Sequence, residues 1–333
     1  MKKTLFISSL LFLIAGWGVK PLSTIANAQT LLVSEQPATN STQTPRAVQP
    51  QVELLNAGSQ PRQQLRLTPT VNAKETATMT LNMNLGMSIA NNPMPTVKLP
   101  GIVMTMETLV NKVDSNGDIH AQFKYTDADV VPDKAVPQAV INSVRTNIKK
   151  LIGTNGSFII DNRGQSKGSS FGLPQQLDGS TKKMIEQISN SLNQISSPVP
   201  SEAVGIGAKW RHSASLNLSG MNLIQTTTYQ LVDLKDNVAT IKVNVQQHAD
   251  PQKLTLAGLP ANANLTLKSY NSQGQGQVKM QLNRMMPIQS TVSIRSNTDT
   301  NMSMPATSGT NAAKVETVPM KMDLLMDLSL ESK

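Results

Sequence analysis

The sequence predicts an α+β fold, mainly antiparallel β, in which a strongly twisted or half-barrel sheet carries two amphipathic helices against one face. Three observations predict it. Apolar and polar residues alternate along many stretches, short turn sequences separate those stretches, and two central stretches change to a helical spacing. Alternation with period two is typical of half-buried strands, whereas apolar residues three and four positions apart indicate one face of a helix.

The first 28 residues have the three parts of a secretory signal peptide. Lys2 and Lys3 precede a mostly apolar run over residues 5–19, and Ala26-Asn27-Ala28 forms a cleavage site. The run is shorter than the roughly 20 residues that a membrane span needs. We therefore expect export to the periplasm or the medium of a bacterium, with no transmembrane segment after cleavage. The chain has no cysteine, so we expect neither disulfides nor a lipid anchor.

Residues 29–64 are rich in Gln, Thr, Pro, Ser and Asn and contain few large apolar side chains. Such a composition buries too little apolar surface to offset the entropy lost on ordering. The sequence therefore predicts a disordered linker at 29–64 and a single β-rich domain at 65–333.

The domain begins and ends with methionine-lined strands. Within residues 76–89, every second residue from Met79 to Ile89 is apolar, and the same alternation runs from Met320 to Leu330. Residues at every second position of a strand share one face. We predict that these two strands form walls of a shared interior.

Two hairpins are predicted between these strands. Residues 102–113 and 119–125 flank Asn116-Gly117, and residues 226–234 and 238–245 flank Asp236-Asn237. Both dipeptides tolerate the positive φ of tight hairpin turns. The hairpins resemble each other weakly, which suggests two β-meanders, at 65–160 and 204–330, joined by a helical segment.

Two stretches of the joining segment are predicted to be helices. The first, at residues 136–152, has Val140, Val144, Ile148 and Leu151 at helical spacing. The second, at residues 181–196, has an apolar face that runs from Met184 to Ile195. Each should cover part of the apolar sheet face.

Eight methionines form a candidate apolar ligand face, which a lipid or another apolar small molecule would contact. They are Met79, Met83, Met87, Met104, Met106, Met320, Met322 and Met326. Soft methionine side chains suit adaptable binding surfaces, but they also fill ordinary cores, and both interpretations stay open. The Met-x-Met spacings also match thioether copper sites. Strand alternation explains that spacing without a metal, so no cofactor and no metal site is predicted.

No catalytic constellation is readable, so the protein is not expected to be an enzyme. His120, His212 and His248 are isolated in sequence, and surface positions are expected for all three. The stretch from Asp114 to Asp118 has part of a calcium-loop pattern, but turn chemistry explains it better. The formal charge of +9 becomes +6 once the signal peptide, with three lysines and no acids, is removed. The charge is spread out, so nucleic acid is not an expected partner.

Several short motifs resemble those of a family of exported bacterial proteins of unknown function. They are Asp161-Asn162-Arg163-Gly164, Pro200, the stretch from Val204 to Trp210, and Gly274-Gln275-Gly276. The resemblance covers residues 65–330 and implies no activity and no catalytic residues. The strand-rich, two-helix pattern is also similar to the half-barrels that carry lipoproteins or lipids across the periplasm, although fold does not imply function.

These observations favour a non-catalytic, exported cell-envelope protein that binds an apolar ligand in a methionine-rich interior. The alternative is a structural or partner-binding envelope protein with a closed core. An uncharacterised enzyme is the third and least favoured interpretation. The state of the apolar sheet face, open or covered, distinguishes the first two.

Overall fold

The structure is a computed structural model that describes residues 51–172, 198–218, 220–254, 264–305 and 315–333. These residues form fifteen strands and one α-helix, which confirms a mainly antiparallel β fold. In chain order the elements are β1 (Gln51–Asn56), β2 (Lys74–Ile89), β3 (Asn92–Pro93), β4 (Val97–Lys98), β5 (Gly101–Val113), β6 (Ile119–Val131), α1 (Gln138–Lys149), β7 (Asn155–Ile160), β8 (Ser166–Gly172), β9 (Lys209–Leu218), β10 (Met221–Lys235), β11 (Val238–Ala249), β12 (Gln252–Leu254), β13 (Asn264–Gln281), β14 (Gln289–Pro305) and β15 (Val315–Ser332).

One antiparallel sheet contains every strand. Its main path runs β1-β9-β10-β11-β13-β14-β15-β2-β5-β6-β7-β8, and the short strands β3, β4 and β12 pair off this path. Strands that follow one another in the chain are mostly neighbours, as in two meanders. The first long strand, β2, pairs with the last strand, β15, and this pairing joins the meanders into a single sheet.

The sheet is open, with β1 and β8 at its two ends, and it is curled. The segment before β2 shows how strongly it curls. The Leu67 N–H donates to the Asn162 carbonyl at 2.7 Å, just after β7, and the Thr68 N–H donates to the Leu282 carbonyl at 2.8 Å, just after β13. The strands β13 and β7 are six places apart in the sheet, about 29 Å if it were flat. Because the sheet curls, the ends of β7 and β13 come close enough to bond to two consecutive residues, Leu67 and Thr68.

The core lies on the apolar face of the curled sheet. Leu81, Trp210, Leu231 and Ile160, from four different strands, are almost fully buried in one cluster of apolar side chains. Leu65 belongs to the same cluster, so the chain before β2 also covers part of this face. Alternation along the long strands places most of their apolar residues in the core and most of their polar residues in solvent.

The helix α1 packs on the core at β6. It buries Ile141 and Ile148, and Arg145 Nε donates to Asp129 Oδ1 of β6 at 2.7 Å. The first predicted helix is thus confirmed, although it is shorter at both ends than the predicted 136–152. Pro137 precedes its first turn, and Gly153 follows with a φ of 89°, which glycine adopts without steric cost.

One of the other predicted segments differs from the structure, and another lies outside the described residues. The linker predicted at 29–64 ends too late, because Gln51–Asn56 forms β1 and Gln63 forms a bridge with Val204. The backbone of this stretch forms hydrogen bonds with β9, which orders it despite its polar composition. An argument from composition does not detect such backbone pairing. The second predicted helix, 181–196, lies outside the described residues, so one amphipathic helix of the two is observed.

Both predicted hairpins are present. Gly117 takes a φ of 85° between β5 and β6, and Asp236 and Asn237 take φ values of 51° and 59° between β10 and β11. These are the positive φ values that tight hairpin turns require. The Gly205-Ile206-Gly207 stretch is a turn that precedes β9.

Gly205 sits where two backbone segments come together, and we expect Gly205→Ala to destabilise the fold. A Cβ atom at Gly205 would lie 1.8 Å from the Ser59 carbonyl oxygen, while the Gly205 N–H donates to Ala57 at 2.9 Å. Overpacking of this kind costs about 1–3 kcal/mol. Urea denaturation should show this loss. The control is Gly168→Ala, where no atom lies within 4 Å of the added Cβ. Equal stability of the two variants would contradict the prediction.

Candidate functional site

The eight predicted methionines divide into a buried group and a group at the end of the apolar face. Met79, Met83, Met104, Met106 and Met326 are buried in the core cluster. Met87 and Met320 are half-buried, and Met322 is 39% exposed. The structure therefore places five of the eight within packed core, and leaves three where a ligand can reach them.

The two methionine-lined strands, β2 and β15, are direct neighbours in the sheet. In the register of β2 and β15, Met83 lies opposite Met326, Met87 opposite Met322 and Ile89 opposite Met320. Directly opposed residues of an antiparallel pair project from the same face. One apolar stripe thus runs from the buried core to the exposed end of the sheet.

The sequence prediction did not include Met94 and Val97, which extend this stripe onto a third strand segment. Ala90 and Asn91 form a tight turn with φ values of 52° and 63°, and Met94 N–H donates to the Met87 carbonyl at 2.8 Å. Val97 lies opposite Leu85. The sequence signal for this turn was Asn91, because asparagine tolerates positive φ. We call Met87, Ile89, Met94, Met320 and Met322 the methionine rim.

A second candidate site lies among the polar, solvent-facing positions of the same sheet. It is a concave surface of about 750 Å³ that spans seven neighbouring strands from β9 to β2. Two adjacent cross-strand rows line it. The first consists of Thr228, Asn244, Gln275, Ser293, Asp327 and Asn82, and the second of Lys209, Gln230, Lys242, Gln277, Thr291 and Ser329. We call this surface the polar trough.

The polar trough is lined mainly by side chains that form hydrogen bonds. Its amides and hydroxyls each donate and accept, and Lys209 and Lys242 add positive charge. Asp327 is the single carboxylate among the described residues that line it, and no histidine is among them. General acid–base catalysis by paired carboxylates needs two such groups on either side of the bond that is broken. The described lining of the trough therefore offers hydrogen-bonding groups and two lysines but no such pair of carboxylates.

A network of polar side chains is buried on the core face, and sequence reasoning missed it. Gln247 Nε2 donates to Gln225 Oε1 at 2.7 Å, and the Tyr270 hydroxyl donates to Gln247 Oε1 at 2.9 Å. Ser296 donates to Ser272 at 2.9 Å beside them. Burial raises the pKa of Tyr270, which keeps its hydroxyl protonated as a donor. The network separates the main core from a smaller apolar cluster around Leu216 and Leu223.

His212 lies on the same face, and the prediction that it is a surface residue is wrong. It is 3% exposed in β9, opposite Thr227, because it alternates in phase with the buried Trp210 and Ala214. Its Nε2 atom has no hydrogen-bond partner among the described residues. Desolvation lowers the pKa of His212 to about 4. The imidazole is therefore neutral at neutral pH.

The carboxylates near the first hairpin form ion pairs that fix its turn. Asp114 accepts from Lys112 and His120, each at 2.6 Å, and Asp118 pairs with Lys167 of β8 at 2.6 Å. The Lys112 and His120 hydrogen bonds hold the pKa of Asp114 below its usual value, and the Lys167 hydrogen bond does the same for Asp118. The Asp118 N–H donates to Asn116 Oδ1, as turn chemistry predicts. Within the described ranges, no three His, Asp or Glu side chains gather as a metal site.

Comparison with protein-family models gives a match to less than half of the chain. Residues 175–329 match a family of unknown function (DUF6263). This fits the predicted resemblance to an uncharacterised family, although the match is narrower than the predicted 65–330. No protein with a curated description matches the chain. Among solved structures, the outer membrane protease OmpT from Escherichia coli matches with 9% identity over 81% of this chain and 99% of that chain, at a TM-score of 0.21. A TM-score this low carries no argument about fold or activity.

The described part of the chain contains no helix with the length and apolar character needed to cross a membrane.

Proposed function

We propose that the protein is exported and acts without catalysis as a binding protein of the cell envelope, which holds a hydroxyl-rich glycan chain in the polar trough. The predicted signal peptide supports export. The observation that carries the binding function is the trough itself, in which two continuous rows of polar side chains cross the middle of the sheet.

The position of the trough favours a glycan over an extended peptide. Peptides commonly bind sheets by adding a strand to an edge, where backbone groups are unpaired. The strands β10, β11, β13, β14 and β15 are interior strands, and each is paired on both sides. A ligand in the trough therefore meets side chains, not a free edge. Glycan hydroxyls donate and accept in the same way as the Asn, Gln, Ser and Thr side chains that line it.

The burial of most of the candidate methionines favours this function over an interior lipid site. Five of the eight candidate methionines lie in a continuous cluster of buried side chains, as the closed-core alternative expects. Of the eight candidate methionines, only Met87, Met320 and Met322 remain accessible to an apolar ligand, and all three belong to the methionine rim.

Removal of two amides from the trough should weaken glycan binding. For Asn244→Ala/Gln275→Ala, we expect affinity for purified peptidoglycan sacculi to fall about 30-fold, because two hydrogen bonds are lost and each is worth roughly 1 kcal/mol. Co-sedimentation of the folded protein with sacculi measures this. The trough is mainly neutral, so binding should persist at moderate salt.

The matched control is Asn142→Ala/Gln122→Ala, which removes one Asn and one Gln amide from exposed positions outside the trough. It should bind as the unmodified protein does. Unmodified protein that stays in the supernatant, or equal binding by the two double variants, would exclude a glycan site in the trough.

A further inference from the structure

We propose that the methionine rim binds a soft monovalent cation, Cu(I) or its analogue Ag(I), through the thioether sulfurs of Met87, Met94 and Met322. The three residues form one row across neighbouring strand segments. Met87 lies opposite Met322 in the pairing of β2 with β15. The β2–β3 register pairs Ser88 with Pro93, so its continuation places Met94 opposite Met87.

The spacing of this row allows the three sulfurs to converge on one ion. Cβ atoms of directly opposed residues in antiparallel strands lie about 4.5–5.5 Å apart. The Met94 N–H donates to the Met87 carbonyl at 2.8 Å, which holds the turn segment against β2. Each methionine side chain is unbranched with three rotatable bonds. Three such side chains on one face can therefore form a trigonal thioether site without any backbone movement.

The chemistry of the rim selects a soft cation. Thioethers are ligands for Cu(I), whereas carboxylates and carbonyls suit hard cations such as Mg²⁺ and Ca²⁺. The described neighbours of the row on the same face include Ile89, Leu85, Leu324, Met320, Thr298 and Asn92, and none of these side chains is ionisable. Met320 lies one row farther along and offers a fourth thioether.

Exposure separates this row from the other methionines of the same strands. Met94 is 49% exposed and Met322 is 39% exposed, so an ion can reach their side chains from solvent. Met79, Met83 and Met326 share the face but are buried in the core. Among the methionines that the structure describes, only the rim thus combines a row across neighbouring strands with access from solvent. The Met-x-Met spacing in the sequence did not predict this combination.

Silver(I) is the probe, because it binds thioethers without redox chemistry. The full chain, labelled with ¹³C at the methionine methyl groups, is titrated with Ag(I) and followed by native mass spectrometry and NMR. We expect one bound Ag(I), with methyl shifts confined to rim methionines. In Met87→Leu/Met94→Leu/Met322→Leu the affinity should fall at least about 100-fold, because no other soft ligand set remains there.

The matched control is Met79→Leu/Met83→Leu/Met326→Leu, which removes three methionines from the same face two to four rows deeper. Leu and Met are similar in volume, so both triple variants should stay folded, as circular dichroism can verify. The control should bind Ag(I) within about threefold of the unmodified chain, since its rim keeps all its soft ligands. No bound Ag(I) on the unmodified chain, or unchanged affinity in the rim variant, overturns the proposal. Neither result bears on the polar trough, which lies on other residues.

Discussion

Replacement of Glu75 by alanine should lower the free energy of unfolding by about 3–5 kcal/mol. Glu75 is a buried carboxylate in β2, and it accepts the backbone N–H groups of Met285 at 2.5 Å and Met286 at 2.6 Å. Arg284 Nε lies 3.7 Å from Glu75 Oε2. Alanine would leave two buried N–H groups and one guanidinium without their anion, and buried donors without partners are costly. Chemical denaturation at neutral pH measures the loss.

Two further variants show whether the anion itself is responsible. Glu75→Gln keeps the shape but offers one acceptor oxygen where the carboxylate offers two, so it should lose roughly half as much stability as the alanine variant. Glu107→Ala removes an exposed carboxylate from the neighbouring strand β5 and should change stability by less than about 0.5 kcal/mol. A Glu75→Ala variant as stable as Glu107→Ala would contradict the role assigned to Glu75.

The features that could be predicted from sequence are those that depend on local spacing. The alternation from Met79 to Ile89 predicted a half-buried strand, and β2 has that burial pattern over its first ten residues. Asn116-Gly117 and Asp236-Asn237 predicted two turns, because few residues adopt positive φ readily. The helical spacing from Val140 to Leu151 likewise predicted α1. Each of these inferences uses contacts within about a dozen residues of sequence.

The features that could not be predicted depend on which distant strands pair. The polar trough is invisible in sequence, because Asn244, Gln275 and Asp327 become neighbours only through the registers of β11, β13, β14 and β15. Glu75 gave no signal either, since its two donors are more than 200 residues away in the chain. Long-range pairing is set by the whole sheet, and no local pattern specifies it.

The pairing of β2 with β15 also bears on the family match. Residues 175–329 include the strands from β9 to nearly all of β15, but β2 lies outside the match. The methionine rim combines residues from inside and outside the match. Met87 and Met94 precede the matched residues, whereas Met320 and Met322 belong to them. The polar trough, in contrast, lies within the matched residues except at Asn82.

Acidification from pH 6.5 to 4 should reduce the free energy of unfolding by about 3 kcal/mol through His212, at about 1.4 kcal/mol per pKa unit. The pKa of His212 is lowered to about 4 in the folded chain by desolvation, from an ordinary value of 6.5. Above pH 6.5 the imidazole is neutral in both states and contributes nothing. Between pH 6.5 and 4, His212 is protonated in the unfolded chain but neutral in the folded chain. The free energy of unfolding therefore falls across this range. Urea denaturation across this range measures the slope.

His212→Leu should remove this slope, because leucine cannot take up a proton in the unfolded chain. His248→Gln is the matched control, since His248 is exposed in β11, and it should keep the slope. The ion-paired carboxylates Asp114, Asp118, Asp129 and Asp133 have lowered pKa values. Their contributions to stability are lost as the pH falls below about 4, the ordinary pKa of a carboxyl, so the two windows separate. A slope between pH 6.5 and 4 that survives in His212→Leu would show that another group titrates there, and would refute the assignment.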